Sequence, residues 1–175
     1  MNRDDQMEPD YQIRLAEPGD AIGLAKVHHL SLSETFGELL PAYANSRTLD
    51  DFERIWKERL DTPTCVTAVM ILGEQIVGLV SAAASRDDDA DGTFGDVDRI
   101  YLHPSVWEKG LGARLLAWCE KELAAMGYVV SKLWVFEMNL RARRFYERNG
   151  YAQDGKTKEA FDVRLLRYGK KLPEG

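Results

Sequence analysis

The chain has 175 residues, enough for one domain with a sizeable core. Apolar residues make up 45% and charged residues 30%, an ordinary globular mixture, and a net charge of −6 argues against a general nucleic-acid binder. No apolar run nears the ~20 residues that span a bilayer, MNRDDQMEPD lacks the apolar stretch of a signal peptide, and Cys65 and Cys119 fit neither a disulfide scaffold nor a metal motif, so a reduced cytoplasmic setting without metal, membrane or nucleic acid is expected.

Residues 1–10 are polar and read as a flexible segment; 11–170 read as a single domain. YQIRLA alternates like a strand, and EPGD supplies the turn into a helix from about Asp20, with Ile22, Leu24, Ala25, Val27 and Leu30 at helical spacing. LLPAYANS breaks that helix. TLDDFERIWKERL is a second one, with Phe52, Ile55, Trp56 and Leu60 on one face. CVTAVMIL and IVGLVSAAAS flank GEQ and predict a hairpin. RDDDADG reads as a solvated acidic loop, and TFGDVDRIYLHP as a fourth strand. A helix over 110–126 turns Leu111, Leu115, Leu116, Trp118, Cys119 and Leu123 inward. YVVSKLWVF is a fifth strand. NLRARRFYERNG is a helix with Asn139 as N-cap and Asn149-Gly150 as its stop. EAFDVRLLRY reads as a last alternating strand before a polar tail. The order β-α-α-β-β-β-α-β-α-β predicts a mixed α/β sheet covered by helices on both sides.

VWEKGLGARLLAW sets two glycines one residue apart at the junction of strand and helix. Glycines let backbone approach a ligand closely, and the first amides of a helix have no intrahelical partners and suit phosphate. A tight, close-packed turn without ligand would look the same. Ala113-Arg114 after Gly112 excludes a P-loop, and Leu115 excludes a dinucleotide fingerprint.

A second stretch, LWVFEMNLRARRFYERNGY, follows one helix later. Together the two resemble the GNAT (GCN5-related) N-acetyltransferase family. That family writes its acetyl-CoA loop R/Q-x-x-G-x-G/A after a strand ending near YVHP. It writes a second signature N-x-x-A-x-x-F-Y-x-x-x-G-F/Y, matched here by Asn139, Ala142, Phe145, Tyr146, Gly150 and Tyr151. The resemblance runs over roughly residues 11–168. One departure stands out: Trp107 takes the place of Arg or Gln, and Glu108 that of a common Gly.

The resemblance implies the GNAT acyl-CoA N-acyltransferase fold, a mostly antiparallel sheet with splayed fourth and fifth strands. It implies direct transfer of acetyl from acetyl-CoA to an amine of a small molecule or peptide, in a family where homodimers are frequent. Main-chain donors at Ile100, Tyr101 and Leu102 would polarise the thioester carbonyl. Amides around Trp107, Glu108, Lys109, Gly110, Leu111, Gly112 and Ala113 would take the diphosphate. Because those contacts are mainly main-chain, losing the usual side chain at 107 should weaken rather than abolish binding, and Lys109 and Arg114 would offset Glu108. Asn139 would bond the pantetheine arm or cap its helix; Arg143 would meet a phosphate or water.

Tyr146 is the expected proton donor to the departing thiolate, since a phenol titrates near pH 10; otherwise it packs beside Phe145. Asp96 and Asp98 are read as sharing a strand face with Ile100 and Leu102. Asp96, acting through water, is a candidate acceptor of the amine proton, and Glu137 a second. His28, His29, Ser31, Ser33 and Phe36 lie on the helix expected to border the acceptor. A non-catalytic acyl-CoA sensor of the same fold, another acyl donor or a hydroxyl acceptor would share these motifs.

Overall fold

A computed structural model describes residues 10–173; residues 1–9 of the segment read as flexible lie outside that range. The chain runs β1 (Tyr11–Leu15), α1 (Ala21–Phe36), α2 (Pro41–Ala44), α3 (Leu49–Leu60), β2 (Cys65–Leu72), β3 (Gln75–Ala84), β4 (Phe94–Leu102), α4 (Leu111–Ala125), β5 (Val130–Phe136), α5 (Leu140–Arg148), β6 (Ala152–Ala160) and β7 (Val163–Lys171). Seven strands form one sheet in the order β1-β2-β3-β4-β5-β7-β6. Every pair is antiparallel except β4 with β5.

Local chemistry sets the helix ends. Thr48 caps α3 by accepting from the Asp51 amide at 3.2 Å, and the Asp51 carboxylate accepts from the Thr48 amide at 3.0 Å. Asn139 caps α5 by accepting from the Ala142 amide at 3.1 Å. Gly150, at φ 87°, turns the chain out of α5.

The sheet separates two apolar layers. On one side α1 and α3 bury Leu24, Phe52 and Trp56 against Val69, Leu79 and Leu165. On the other, α4 and α5 bury Leu115, Cys119, Leu123 and Tyr146 against Val80, Val97 and Leu133. The six expected inward residues of α4 all belong to this second layer, Trp118 at its margin.

Two expectations are corrected. EAFDVRLLRY is not one strand: it is the end of β6, a turn at Phe161-Asp162, and the start of β7. Both turn residues have positive φ, 54° and 59°, the geometry that suits a tight hairpin but is usually spelled with Asn and Gly. β6 itself is exposed along nearly its whole length, so it carries no apolar period to read. RDDDADG, in turn, is not simply solvated. Arg167, 3% exposed, binds Asp87 at 2.9 Å and Asp89 at 2.6 Å, and takes Asp154 at 2.8 Å from β6. This cluster pins the loop after β3 to the far end of the sheet.

Candidate active site

β4 and β5 pair only at Phe94–Val130, Gly95–Ser131 and Asp96–Lys132. Beyond that point β4 stays with β3 as far as Leu102, while β5 follows β7 to Phe136. The register of β3 against β4 slips between Ser81 and Ala82, which face Arg99 and Val97, leaving Asp98 as an extra residue. Such a bulge bends its strand and sharpens the twist, consistent with β4 leaving its neighbour here. Among the described residues, the β5-facing edge of β4 over residues 97–102 is left without a strand partner.

The bulge also corrects the expected strand faces. Val97, Ile100 and Leu102 belong to the α4 layer, whereas Tyr101 belongs to the α1/α3 layer and Asp98 is ion-paired to Arg59 of α3. Asp96 and Asp98 therefore do not share a face with Ile100 and Leu102, because one inserted residue reverses the alternation.

The glycine loop closes the strand's end. A short turn at Pro104–Val106 follows His103, whose Nδ1 accepts from the Ser105 amide at 3.2 Å. Trp107 Nε1 donates to the Leu102 carbonyl at 2.8 Å, and the same oxygen accepts from Ser31 Oγ of α1 at 2.6 Å. The Arg141 guanidinium stacks 3.8 Å from the centre of the Trp107 ring. Trp107 is thus committed to fastening the loop. Glu108 and Gly110 take left-handed φ values of 62° and 74°, and Gly110, the N-cap of α4, brings no side-chain acceptor to the helix's first amides. Lys109 is exposed. Arg114 donates to the Tyr11 carbonyl at 2.8 Å, tying α4 to β1.

α5 presents the second motif. Tyr146 is 9% exposed, its ring 5.1 Å from Phe145 and 5.9 Å from Tyr151. Burial, with Cys119 nearby, lifts its phenol well above the ordinary value, so it stays protonated at neutral pH. Arg143 donates to Tyr168 Oη at 3.2 Å and to the Glu137 carbonyl at 3.0 Å, which settles its side chain inside the protein's own contacts. The Glu137 carboxylate lies 3.7 Å from Arg164.

On the opposite face, a cleft of about 470 Å³ opens between α1, α3 and the strands β4, β5 and β6. Asp96 lines it with Oδ1 buried and unpartnered. Burial pushes its carboxyl up to about 6; Ser85 pulls it back, and Asp87 and Asp98 push it further. His28 lines it too, stacked 4.3 Å from Tyr101, and its burial, with Arg99 and Arg47 beyond, lowers it to about 3. Burial raises the Tyr101 phenol well above its usual value; Tyr43 adds to the rise and Tyr146 contributes across the sheet. The structure therefore sets Tyr146 and Asp96 on opposite faces of the sheet, with the diverging strands between them. Glu137 is not among the residues lining the cleft. Of the α1 candidates, His28 borders the cleft, His29 lies against Phe52, Ser31 serves Leu102, and Phe36 packs edge-on against Tyr43 and Phe136.

The family model for GNAT acetyltransferases matches residues 26–151, more than half of the sequence. The chain belongs to the GNAT acetyltransferase family. It is 21% identical over 137 residues to the aminoalkylphosphonate N-acetyltransferase of Salmonella typhimurium, covering 77% of this chain and 89% of that protein. Among solved structures, the PaiA N-acetyltransferase of Thermoplasma acidophilum in complex with coenzyme A superposes with a TM-score of 0.77 at 18% identity, over 93% of this chain and 99% of the other. YncA of Salmonella typhimurium, solved with acetyl-CoA, gives 0.74 at 18%, over 95% and 96%. These likenesses carry the GNAT fold. The splay and the loop after β4 are where this GNAT chain keeps its signature; the cleft residues from α3, β4 and β6 have no signature, because no local spacing joins them.

Proposed function

We propose that this GNAT domain, residues 11–170, is an acetyl-CoA-dependent N-acetyltransferase that passes acetyl directly to a primary amine of a small molecule or peptide, in the reduced cytoplasm. The observation that carries the reading is the divergence of β4 from β5 beside a helix whose first amides have no side-chain cap. An unpaired strand edge offers main-chain donors and acceptors to an extended amide-bearing arm, and a helix N-terminus favours a diphosphate.

In this reading, main-chain groups of Ile100, Tyr101 and Leu102 hold the arm and polarise the thioester carbonyl. Amides over residues 108–113 take the diphosphate, the Trp107 amide being bonded to the Pro104 carbonyl at 3.2 Å, with exposed Lys109 adding charge. Trp107, Glu108 and Arg114 shape that loop rather than touch phosphate by side chain, and Asn139 and Arg143 fix the start of α5. The amine's proton goes to Asp96 through water, the new C–N bond forms as the C–S bond breaks, and the Tyr146 hydroxyl donates to the departing sulfur. Asp96 is preferred to Glu137 because it lines the cleft.

Calorimetry with acetyl-CoA, followed by thiol release against a panel of amines, tests the reading. Heat of binding and amine-dependent thiol are expected. Binding without thiol from any amine would make the protein an acyl-CoA sensor; no heat at all would remove the cofactor assignment.

A further inference from the structure

The protein is acidic, with a net charge of −6, yet its cleft is not. Three carboxylates line it, and two are already taken: Asp98 by Arg59, and Asp87 by Arg167 at 2.9 Å and by Trp134 Nε1 at 3.1 Å. Against the remaining Asp96 stand Arg47, Arg86, Arg99 and Lys158.

Arg99 is the most informative of these. Its side chain is 28% exposed, 5.6 Å from the Trp56 ring centre, and among the described residues its one ion-pair partner is Asp98 at 3.9 Å, the same oxygen that Arg59 holds more closely. A half-buried guanidinium that shares its counter-ion with a closer arginine is short of an anion. Arg47, exposed after α2, lines the same cleft as Arg99. His28 is 5% exposed, lines the cleft, and its Nδ1 is buried without a partner. It brings no negative charge to the cleft.

We propose that the acceptor is a small zwitterionic amine whose oxyanion, carboxylate or phosphonate, sits on Arg99 and Arg47 while its ammonium is turned towards Asp96. This rests on the N-acetyltransferase reading of the same cleft. Size agrees: about 470 Å³ is at the small end of ligand pockets. So does spacing. Asp96 and Arg99 face Ala83 and Ser81, two positions apart on β3, or ~7 Å along the strand, a span suited to an amine and an anion a few bonds apart. The planar guanidinium fork matches either oxyanion.

The test titrates the full chain, saturated with coenzyme A, with β-alanine, 2-aminoethylphosphonate, ethanolamine and putrescine in a calorimeter, and measures thiol release from acetyl-CoA with each. One or both anionic amines should bind at least ~10-fold more tightly than ethanolamine, and Arg99→Gln and Arg47→Gln should each remove about that factor while leaving acetyl-CoA affinity unchanged. The β-alanine and phosphonate arms distinguish the two oxyanions. If Arg99→Gln fails to fold, the exposed Arg47→Glu carries the test. Ethanolamine or putrescine binding as tightly as the anionic amines, or Arg47→Glu leaving the discrimination intact, overturns the proposal. Arginine-dependent binding of an anionic amine without thiol release would uphold this seat and overturn the transferase reading; release best supported by putrescine would do the reverse.

Discussion

Gly112 of α4 lies against the ring of Phe145 of α5: a Cβ built on Gly112 would stand 3.1 Å from Phe145 Cε2 and 3.3 Å from Cζ. The second glycine of the loop and the first aromatic of the later motif are thus one packing unit. At Gly110 a Cβ would meet nothing within 4 Å, but its φ of 74° excludes most side chains. Gly112→Val should therefore push α4 from α5 and cost about 1–3 kcal/mol, with weaker acetyl-CoA binding as the loop moves. Gly112→Ala should cost less, since the ring need yield only slightly. Thermal melts and calorimetry read both; a Val variant that melts and binds as wild type would show that the contact carries no constraint.

Tyr146→Phe removes one hydroxyl that makes no hydrogen bond to another side chain among the described residues. Stability and acetyl-CoA affinity should hold, while turnover falls about 100-fold or more, the lower end of what a general acid contributes. Single-turnover kinetics of acetyl transfer is the measurement. Unchanged turnover would return Tyr146 to a packing role.

Asp96→Asn should separate activity from stability. The folded carboxyl titrates near 6, above its unfolded value of 3.8, so the ionised form opposes folding. The penalty is absent below the unfolded value, grows between the two, and is complete above about 6. The variant should melt higher than wild type at pH 8, by an amount that shrinks towards pH 4. It should also lack the rise in kcat/KM expected of the wild type as pH increases through about 6. A variant no more stable at pH 8 than at pH 4, relative to wild type, contradicts the burial of this carboxyl.

Arg167 joins distant parts of the chain, and its loss should be felt by all of them. Arg167→Met leaves Asp87, Asp89 and Asp154 without their shared cation; Asp89 and Asp154 are exposed and keep Lys156 and Lys132 beside them, so the loss should be about 1–3 kcal/mol. Urea unfolding should show a loss of that order, and limited proteolysis should find new cleavage within residues 85–92. Equal stability with an intact loop would mean that water replaces the guanidinium without cost.

What could be read in the sequence follows the range of the interactions. Asn139, Gly110 and Gly150 were legible because capping and left-handed turns are decided within four residues. The α4 face was legible because its burial repeats at helical spacing. The bulge at Asp98 was not: inserting one residue into a pair of strands has no residue-type signature, yet it reverses every face beyond it. β6 was hidden by its exposure and by a turn spelled Phe-Asp. The Arg167 cluster and the cationic cleft escaped for a third reason. Their members come from elements far apart in the chain, and only the sheet order brings Arg47, Arg99 and Lys158 to one cavity.

His28 makes a pH prediction of opposite sign to Asp96. Its folded value of about 3 lies below the ordinary 6.5, because burial, then Arg99, Arg47 and His29, disfavour the imidazolium. Stability from this group is complete above 6.5 and is lost as pH falls towards 3, because the unfolded chain takes up a proton that the folded chain refuses. The loss approaches about 1.4 kcal/mol per pH unit. The ring lies 4.3 Å from both Phe52 and Tyr101, so His28→Phe keeps an aromatic in place and removes the titration. Between pH 6.5 and 4.5 the variant should gain about 2 kcal/mol on the wild type in denaturant midpoints converted to free energy. Parallel curves for the two proteins over that interval would mean that His28 takes its proton in the folded state, and that the cleft wall opens to water.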